Sequence, residues 1–311
     1  MIKKIKEYLL KILFSNYAAI LLAFSVMLLL CLFNLINTVF LASSTWTMLL
    51  FIPLAFCVPL AFFILSRKER YFPSYHFAKI KKYHVPTIIY SFFLLIFASI
   101  LLKTTFFESI YTSFSLYNIF SADIQGGFFK KLYLILSFCI IPPILEELVY
   151  RGIIIKEYDK RGRLTATLIS SILFSLLGFN VYEIPQRFFM GIILCILLYA
   201  TGSIFICVTI HILYNVFALF FEPTLVSLKY ISSNSSTFLL LITVVTLIMA
   251  TCLCSHISRL YNKYSKDKNY VNFKRSTPRE RTFWHFLELF ISTPSLACVL
   301  LFAITTLILN I

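Results

Sequence analysis

Two adjacent carboxylates inside an otherwise apolar stretch, Glu146 and Glu147, are the residues of this chain whose type and spacing most directly offer chemistry. They lie in Ile141-Pro142-Pro143-Ile144-Leu145-Glu146-Glu147-Leu148-Val149-Tyr150-Arg151-Gly152. An ionisable side chain within a membrane-spanning helix costs roughly 2.5 to 3.5 kcal/mol on insertion scales, so each one needs a reason. Glu147 and Arg151 are four residues apart, which puts them on one helix face in the favourable Glu-before-Arg order and predicts an ion pair. Glu146 lies about 100° around the same helix and is left to face a cavity, where a carboxylate can act as a general base. Pro142 and Pro143 remove two amide donors one turn earlier, so the helix is expected to kink or open just before the pair. The competing reading, that the two glutamates only mark a membrane boundary, gives no reason for the Pro-Pro step.

A second polar element lies in Ile210-His211-Ile212-Leu213-Tyr214-Asn215-Val216. His211 and Asn215 project from one helical face, and both can donate to an oxygen held between them. A single intramembrane histidine is often a packing residue. With an amide one turn away and a carboxylate on another helix, it reads instead as part of a polar constellation. Glu146, His211 and Asn215 are expected to converge on one cavity open to the cytoplasm.

The elements that would position these groups are membrane helices. Of the 311 residues, 60% are hydrophobic and 13% charged, and the mean hydropathy is +0.89. A soluble domain carries about 25% charged residues, so the bilayer must solvate most of this chain. Nine apolar blocks are predicted to span, giving an all-α polytopic bundle: 16–42, 46–65, 85–102, 132–154, 164–182, 188–200, 203–221, 237–256 and 285–310. The sixth reaches a full span only if flanking residues join it. Ile2, Ile5, Leu9 and Ile12 repeat at helical spacing opposite Lys3, Lys4, Glu7 and Lys11, the pattern of a short helix on the membrane surface. No internal repeat or long linker is visible, so residues 1–311 read as one integral-membrane domain.

With a cytoplasmic N-terminus, the Lys and Arg residues concentrate in the N-terminal segment and in loops 66–84, 151–163 and 257–284. Of 28 in all, those elsewhere are Lys103, Lys130, Lys131, Arg187 and Lys229. The positive-inside rule is then met in every countable loop, which places a multi-pass protein in the cell membrane against an anionic inner leaflet. The formal net charge of +15 thus signals topology, and no nucleic-acid partner is expected. The eight cysteines fall almost entirely within apolar blocks and read as small hydrophobes. No cofactor is expected.

Glu146-Glu147-x-x-x-Arg151-Gly152, a following span with Phe174, and Thr201-Gly202-Ser203-Ile204 leading to His211-x-x-x-Asn215 resemble the CAAX prenyl protease and bacteriocin-processing (CPBP, or Abi) family of intramembrane proteases. The resemblance covers residues 130–222. It implies that Glu146 activates a water, that Glu147 and Arg151 are structural, and that His211 and Asn215 steady an oxyanion. The family places a second histidine four residues after Phe174, and Gly178 stands there. A catalytic zinc normally takes three protein ligands, often two of them histidines, so zinc is not expected at this core.

The function implied is hydrolysis of a peptide or membrane-protein substrate near the cytoplasmic face by a Glu146-activated water. The alternative is a catalytically impaired relative that binds a peptide or confers bacteriocin self-immunity. A transporter is a third reading, supported only by the Pro-Pro break.

Overall fold

A computed structural model of the chain describes residues 17–40, 48–66, 78–106, 126–221, 235–265 and 279–309. The expected N-terminal surface helix and residues 67–77 and 266–278 of the predicted loops lie outside the described residues, whereas the loop predicted over 151–163 is helical through Arg161 and Arg151 is buried within it. Those described form helices, with no strand among them. They are α1 Ala18–Phe40, α2 Met48–Ser66, α3 Val85–Phe106, α4 Phe128–Arg161, α5 Arg163–Leu176, α6 Ile184–Thr201, α7 Ile204–Phe220, α8 Ser235–Ser265, α9 Arg279–Phe290 and α10 Thr293–Leu309. Their apolar content makes this a multi-pass membrane protein.

Each predicted apolar block is a helix or a helix pair, but not all are long enough to cross. Among the described residues six helices (α1, α2, α3, α4, α6 and α8) have the length and composition of a span. The α9–α10 pair, bent by 57°, makes a seventh if it counts as one. The sixth block does recruit its flank, since α6 starts at Ile184 and so takes in Arg187. By contrast α5 has 14 residues and α7 has 17. At 1.5 Å per residue α5 is roughly 21 Å long, short of a hydrocarbon core of about 30 Å.

The chain divides into two compact units, each built from separated segments: 1–74, 144–192 and 274–311 form the first, 75–143 and 193–273 the second. In the first unit α1 packs against α2 and α10, and α5 against α9, α10 and the second half of α4. Alanines at 18, 19 and 23, all fully buried or nearly so, line the buried face of α1. Small side chains let membrane helices approach closely, where dispersion rather than a hydrophobic drive holds them. Glu288 of α9 accepts from Arg161 at 3.0 Å and from the Tyr17 hydroxyl at 3.3 Å.

In the second unit α3 packs along α8 and α7, and α7 packs on the first half of α4. The Tyr214 hydroxyl of α7 donates to Ser99 Oγ of α3 at 2.9 Å, and His256 Nε2 of α8 lies 3.3 Å from the Tyr83 carbonyl just ahead of α3. The outer face of α8 carries exposed Leu240, Leu241, Val244, Leu247 and Ile248. An apolar surface of that length suits a helix that faces lipid.

Candidate active site

Helix α4 is not a uniform α-helix. It is α-helical over Phe128–Leu134, π-helical over Ile135–Ile140, α-helical over Ile141–Glu147, and π-helical again over Leu148–Ile154. A π segment thus ends two residues ahead of Pro142, and the Pro-Pro step leaves one carbonyl inside it without a backbone donor. An α-helical bond to the Phe138 carbonyl would come from residue 142 and a π-helical one from residue 143, and both are prolines without an N–H. Within the second unit Asn215 of α7 supplies the donor instead, its Nδ2 reaching the Phe138 carbonyl at 3.1 Å. Asn215 thus holds the opened helix, and its amide nitrogen carries a second hydrogen for other work.

The expected ion pair forms in the first unit: Arg151 Nη1 lies 3.1 Å from Glu147 Oε1, and neither side chain is exposed. Arg151 Nη2 also donates to the Gly191 carbonyl of α6 at 3.3 Å. Its guanidinium carbon sits 4.3 Å from the centre of the Phe174 ring. A desolvated cation over an aromatic face is worth about 2 kcal/mol. The Gly191 position has no room for a side chain, because a Cβ there would lie 2.9 Å from Ser171 Cβ and 3.0 Å from its Cα. The absent side chain is what brings the α6 backbone to α5 and its carbonyl to Arg151.

Glu146, next to this pair and nearly buried, does not face an empty space. Arg187, in the first turn of α6, donates from Nη2 to Glu146 Oε2 at 3.4 Å. The guanidinium carbon of Arg187 lies 4.9 Å from the same Phe174 ring. Two carboxylates in adjacent positions are therefore each met by a guanidinium, and both guanidiniums rest on one phenylalanine. The sequence places Arg187 among the basic residues outside the cytoplasmic loops, and the signal that could have singled it out is a charge immediately preceding the apolar block that begins at Phe188.

The helix expected over 164–182 ends at Leu176, and Gly178 lies in the turn after it. Phe179 takes a positive φ of 48° there, and Asn180 Oδ1 accepts the Tyr182 N–H at 2.9 Å to start the turn into α6. The space beside Gly178 is filled. A Cβ at this position would lie 3.0 Å from Arg187 Cδ, 3.2 Å from its Nε and 3.4 Å from Glu183 Oε2. Since Arg187 meets Glu146 in the middle of the 34-residue α4, the turn joining α5 and α6 sits beside the middle of that helix.

His211 belongs to the second unit and is buried on α7. Between the helices α6 and α7, Gly202 takes a φ of 64°, and Thr201 Oγ1 accepts the Ser203 N–H at 3.3 Å while donating to the Leu197 carbonyl at 2.7 Å. The Thr201-Gly202-Ser203 signature is thus a tight helix-to-helix turn that starts the His211 helix. Glu146 lies in the first unit, and His211 and Asn215 lie in the second.

Among the described residues no group of three His, Cys, Asp or Glu comes together as a metal-binding set. A zinc ion does not fit at Glu146 on local grounds, because a guanidinium occupies the carboxylate and Gly178 offers no ligand atom beside it.

Residues 128–217 match the family model of the type II CAAX prenyl endopeptidases, Rce1-like. No curated protein and no solved structure matches the chain. The match begins with α4 and ends two residues past Asn215, so it contains Glu146, Glu147, Arg151, Arg187, His211 and Asn215. The chain therefore carries an Rce1-like domain of the CAAX prenyl endopeptidase (CPBP) family over these residues.

Proposed function

We propose that this protein is an intramembrane peptidase of the cell membrane, with a cytoplasmic N-terminus, in which Glu146 activates water to hydrolyse a peptide bond of a membrane-associated substrate. The observation that carries the reading is a nearly buried carboxylate on an opened membrane helix inside an Rce1-like domain. A charge in that place is costly, and of the two carboxylates Glu146 is the one whose ion pair is not fully sealed.

In this mechanism Glu146 takes a proton from water as the water oxygen bonds to the scissile carbonyl carbon. The carbonyl π pair moves onto oxygen, giving the oxyanion that the family resemblance assigns to His211 and Asn215 to steady. The oxyanion then collapses, the C–N bond breaks, and Glu146 returns its proton to the leaving amine. Atoms and charge balance with water as the one co-reactant.

A second reading has a specific observation behind it. Gly178 supplies no imidazole, and a guanidinium can donate to Glu146 but cannot accept the water's proton. On that reading the protein binds a membrane peptide without cleaving it, as in bacteriocin self-immunity.

The experiment compares peptide termini across the membrane proteome of cells producing the parent or Glu146→Gln, and assays both in proteoliposomes with a fluorogenic farnesylated peptide ending in a CAAX sequence. New termini or cleavage in the parent that vanish with Glu146→Gln support the peptidase. Identical termini, together with a biological effect that survives Glu146→Gln, refute it and favour peptide binding.

A further inference from the structure

Arg187 stands in the space that Gly178 leaves open and holds the carboxylate proposed as the base. We propose that Arg187 is a positioning residue for Glu146, and that Gly178 leaves the room its guanidinium uses, so that a side chain there would shift the guanidinium relative to that carboxylate by a few tenths of an ångström. The inference rests on the hydrolytic reading of Glu146 and adds to it a residue that no motif assigns.

Three observations within one compact unit carry it. Arg187 Nη2 donates to Glu146 Oε2 at 3.4 Å, with the arginine side chain 21% and the glutamate side chain 10% exposed. The guanidinium is braced over Phe174 at 4.9 Å, so its plane is supported by an aromatic face rather than by water. A Cβ on residue 178 would press on Arg187 at two atoms, Cδ at 3.0 Å and Nε at 3.2 Å. These are the stem and the neck of the guanidinium, so the obstruction acts on the group that reaches Glu146. Glycine is not needed for backbone conformation here, since the positive φ in this turn belongs to Phe179. What residue 178 contributes is space.

The chemistry this implies differs from that of a carboxylate beside an imidazole. A guanidinium has donors only. It can orient Glu146 and offset its charge, but every proton in the hydrolytic cycle must then pass through Glu146 itself. Arg187 touches neither water nor substrate in this account and acts through the carboxylate.

The test uses the full chain in proteoliposomes with the fluorogenic farnesylated CAAX peptide as probe. Arg187→Met is expected to lower kcat about 100-fold with KM changed little, the scale on which a misdirected general base fails. Arg187→Lys, which keeps the charge but not the fork, is expected to recover about 10-fold of that loss. Gly178→Ala is expected to cost about 10-fold in kcat by displacing the guanidinium a few tenths of an ångström, on the scale by which misplacement costs rate. In the Arg187→Met background it should cost nothing further, because the group it displaces is gone. A role confined to packing would leave kcat in both arginine variants at the parent value or make the Gly178→Ala loss additive, and either result overturns the inference.

A parent that leaves the probe intact refutes hydrolysis of that substrate class and leaves positioning to thermal unfolding. The Tm shifts of Arg187→Met, Glu146→Gln and the double variant are then compared. A double shift well short of the sum supports the coupling, and shifts that add overturn it.

Discussion

Arg151→Met asks how much the buried ion pair of α4 holds up. Arg151 Nη1 and Glu147 Oε1 are 3.1 Å apart with neither side chain exposed. At an effective dielectric of 20 the attraction is about 5 kcal/mol, set against a desolvation cost of several kcal/mol per ion. The pair as a whole is therefore near break-even, yet removing one member strands the other charge in an apolar interior. The expected loss for Arg151→Met is about 3 to 5 kcal/mol, the range for an orphaned buried charge. The Gly191 hydrogen bond and the Phe174 contact go with it and push the loss toward the upper end. Removing both charges is different. Glu147→Leu with Arg151→Met should return to within about 2 kcal/mol of the parent, since an apolar pair of similar volume replaces a costly one. Unfolding by SDS in mixed micelles, followed by circular dichroism, measures all three. If Arg151→Met unfolds within about 1 kcal/mol of the parent, or the double variant is no more stable than the single one, the reasoning about orphaned charge is wrong.

Gly191→Ala should destabilise by about 1 to 3 kcal/mol in the same assay, because its Cβ would meet Ser171 Cα at 3.0 Å, a backbone atom that cannot swing aside. Asn215→Leu should cost about 1 to 3 kcal/mol by leaving the Phe138 carbonyl without its side-chain donor, and should cost less in a Pro142→Ala background, where residue 142 regains an N–H for that carbonyl. In a protein freed of its eight native cysteines, Ser232→Cys and Ser276→Cys should be labelled from opposite sides of the membrane by an impermeant maleimide. Val181→Cys, in the turn beside the middle of α4, should be labelled from neither side as fast as those two.

The helices were legible because a bilayer demands long apolar runs, and the Glu147–Arg151 pair because four-residue spacing is local. The missing donors at Pro142-Pro143 were legible for the same reason: they are counted along one helix. Two features were hidden. Residues 177–182 continue the apolar run of α5 through Phe179 and Val181, and the stop signal carried by Gly178 and Asn180 was overridden by that run; the end is set by the Phe179 backbone and the Asn180 cap. Arg187 is 41 residues from Glu146, and a contact of that kind depends on where α6 packs. Read along the chain, Gly178 was a missing imidazole and Arg187 a stray charge. In the fold they are neighbours.

The pairing of those two also explains how α4 tolerates adjacent carboxylates. Glu146 and Glu147 bring two negative charges into a helix whose surroundings are apolar, and Arg151 offsets only the one it reaches along its own helix. The second cation has to come from another element, and the first turn of α6 delivers it past a residue with no side chain. The resulting cluster has two carboxylates and two guanidiniums, so its formal charge is zero, and Phe174 lies under both cations. A neutral cluster lowers the burial cost that each charge would incur alone. It does so unequally: the Glu147 pair is sealed at zero exposure, while the Glu146–Arg187 contact is longer and both of its side chains keep partial access to the surface.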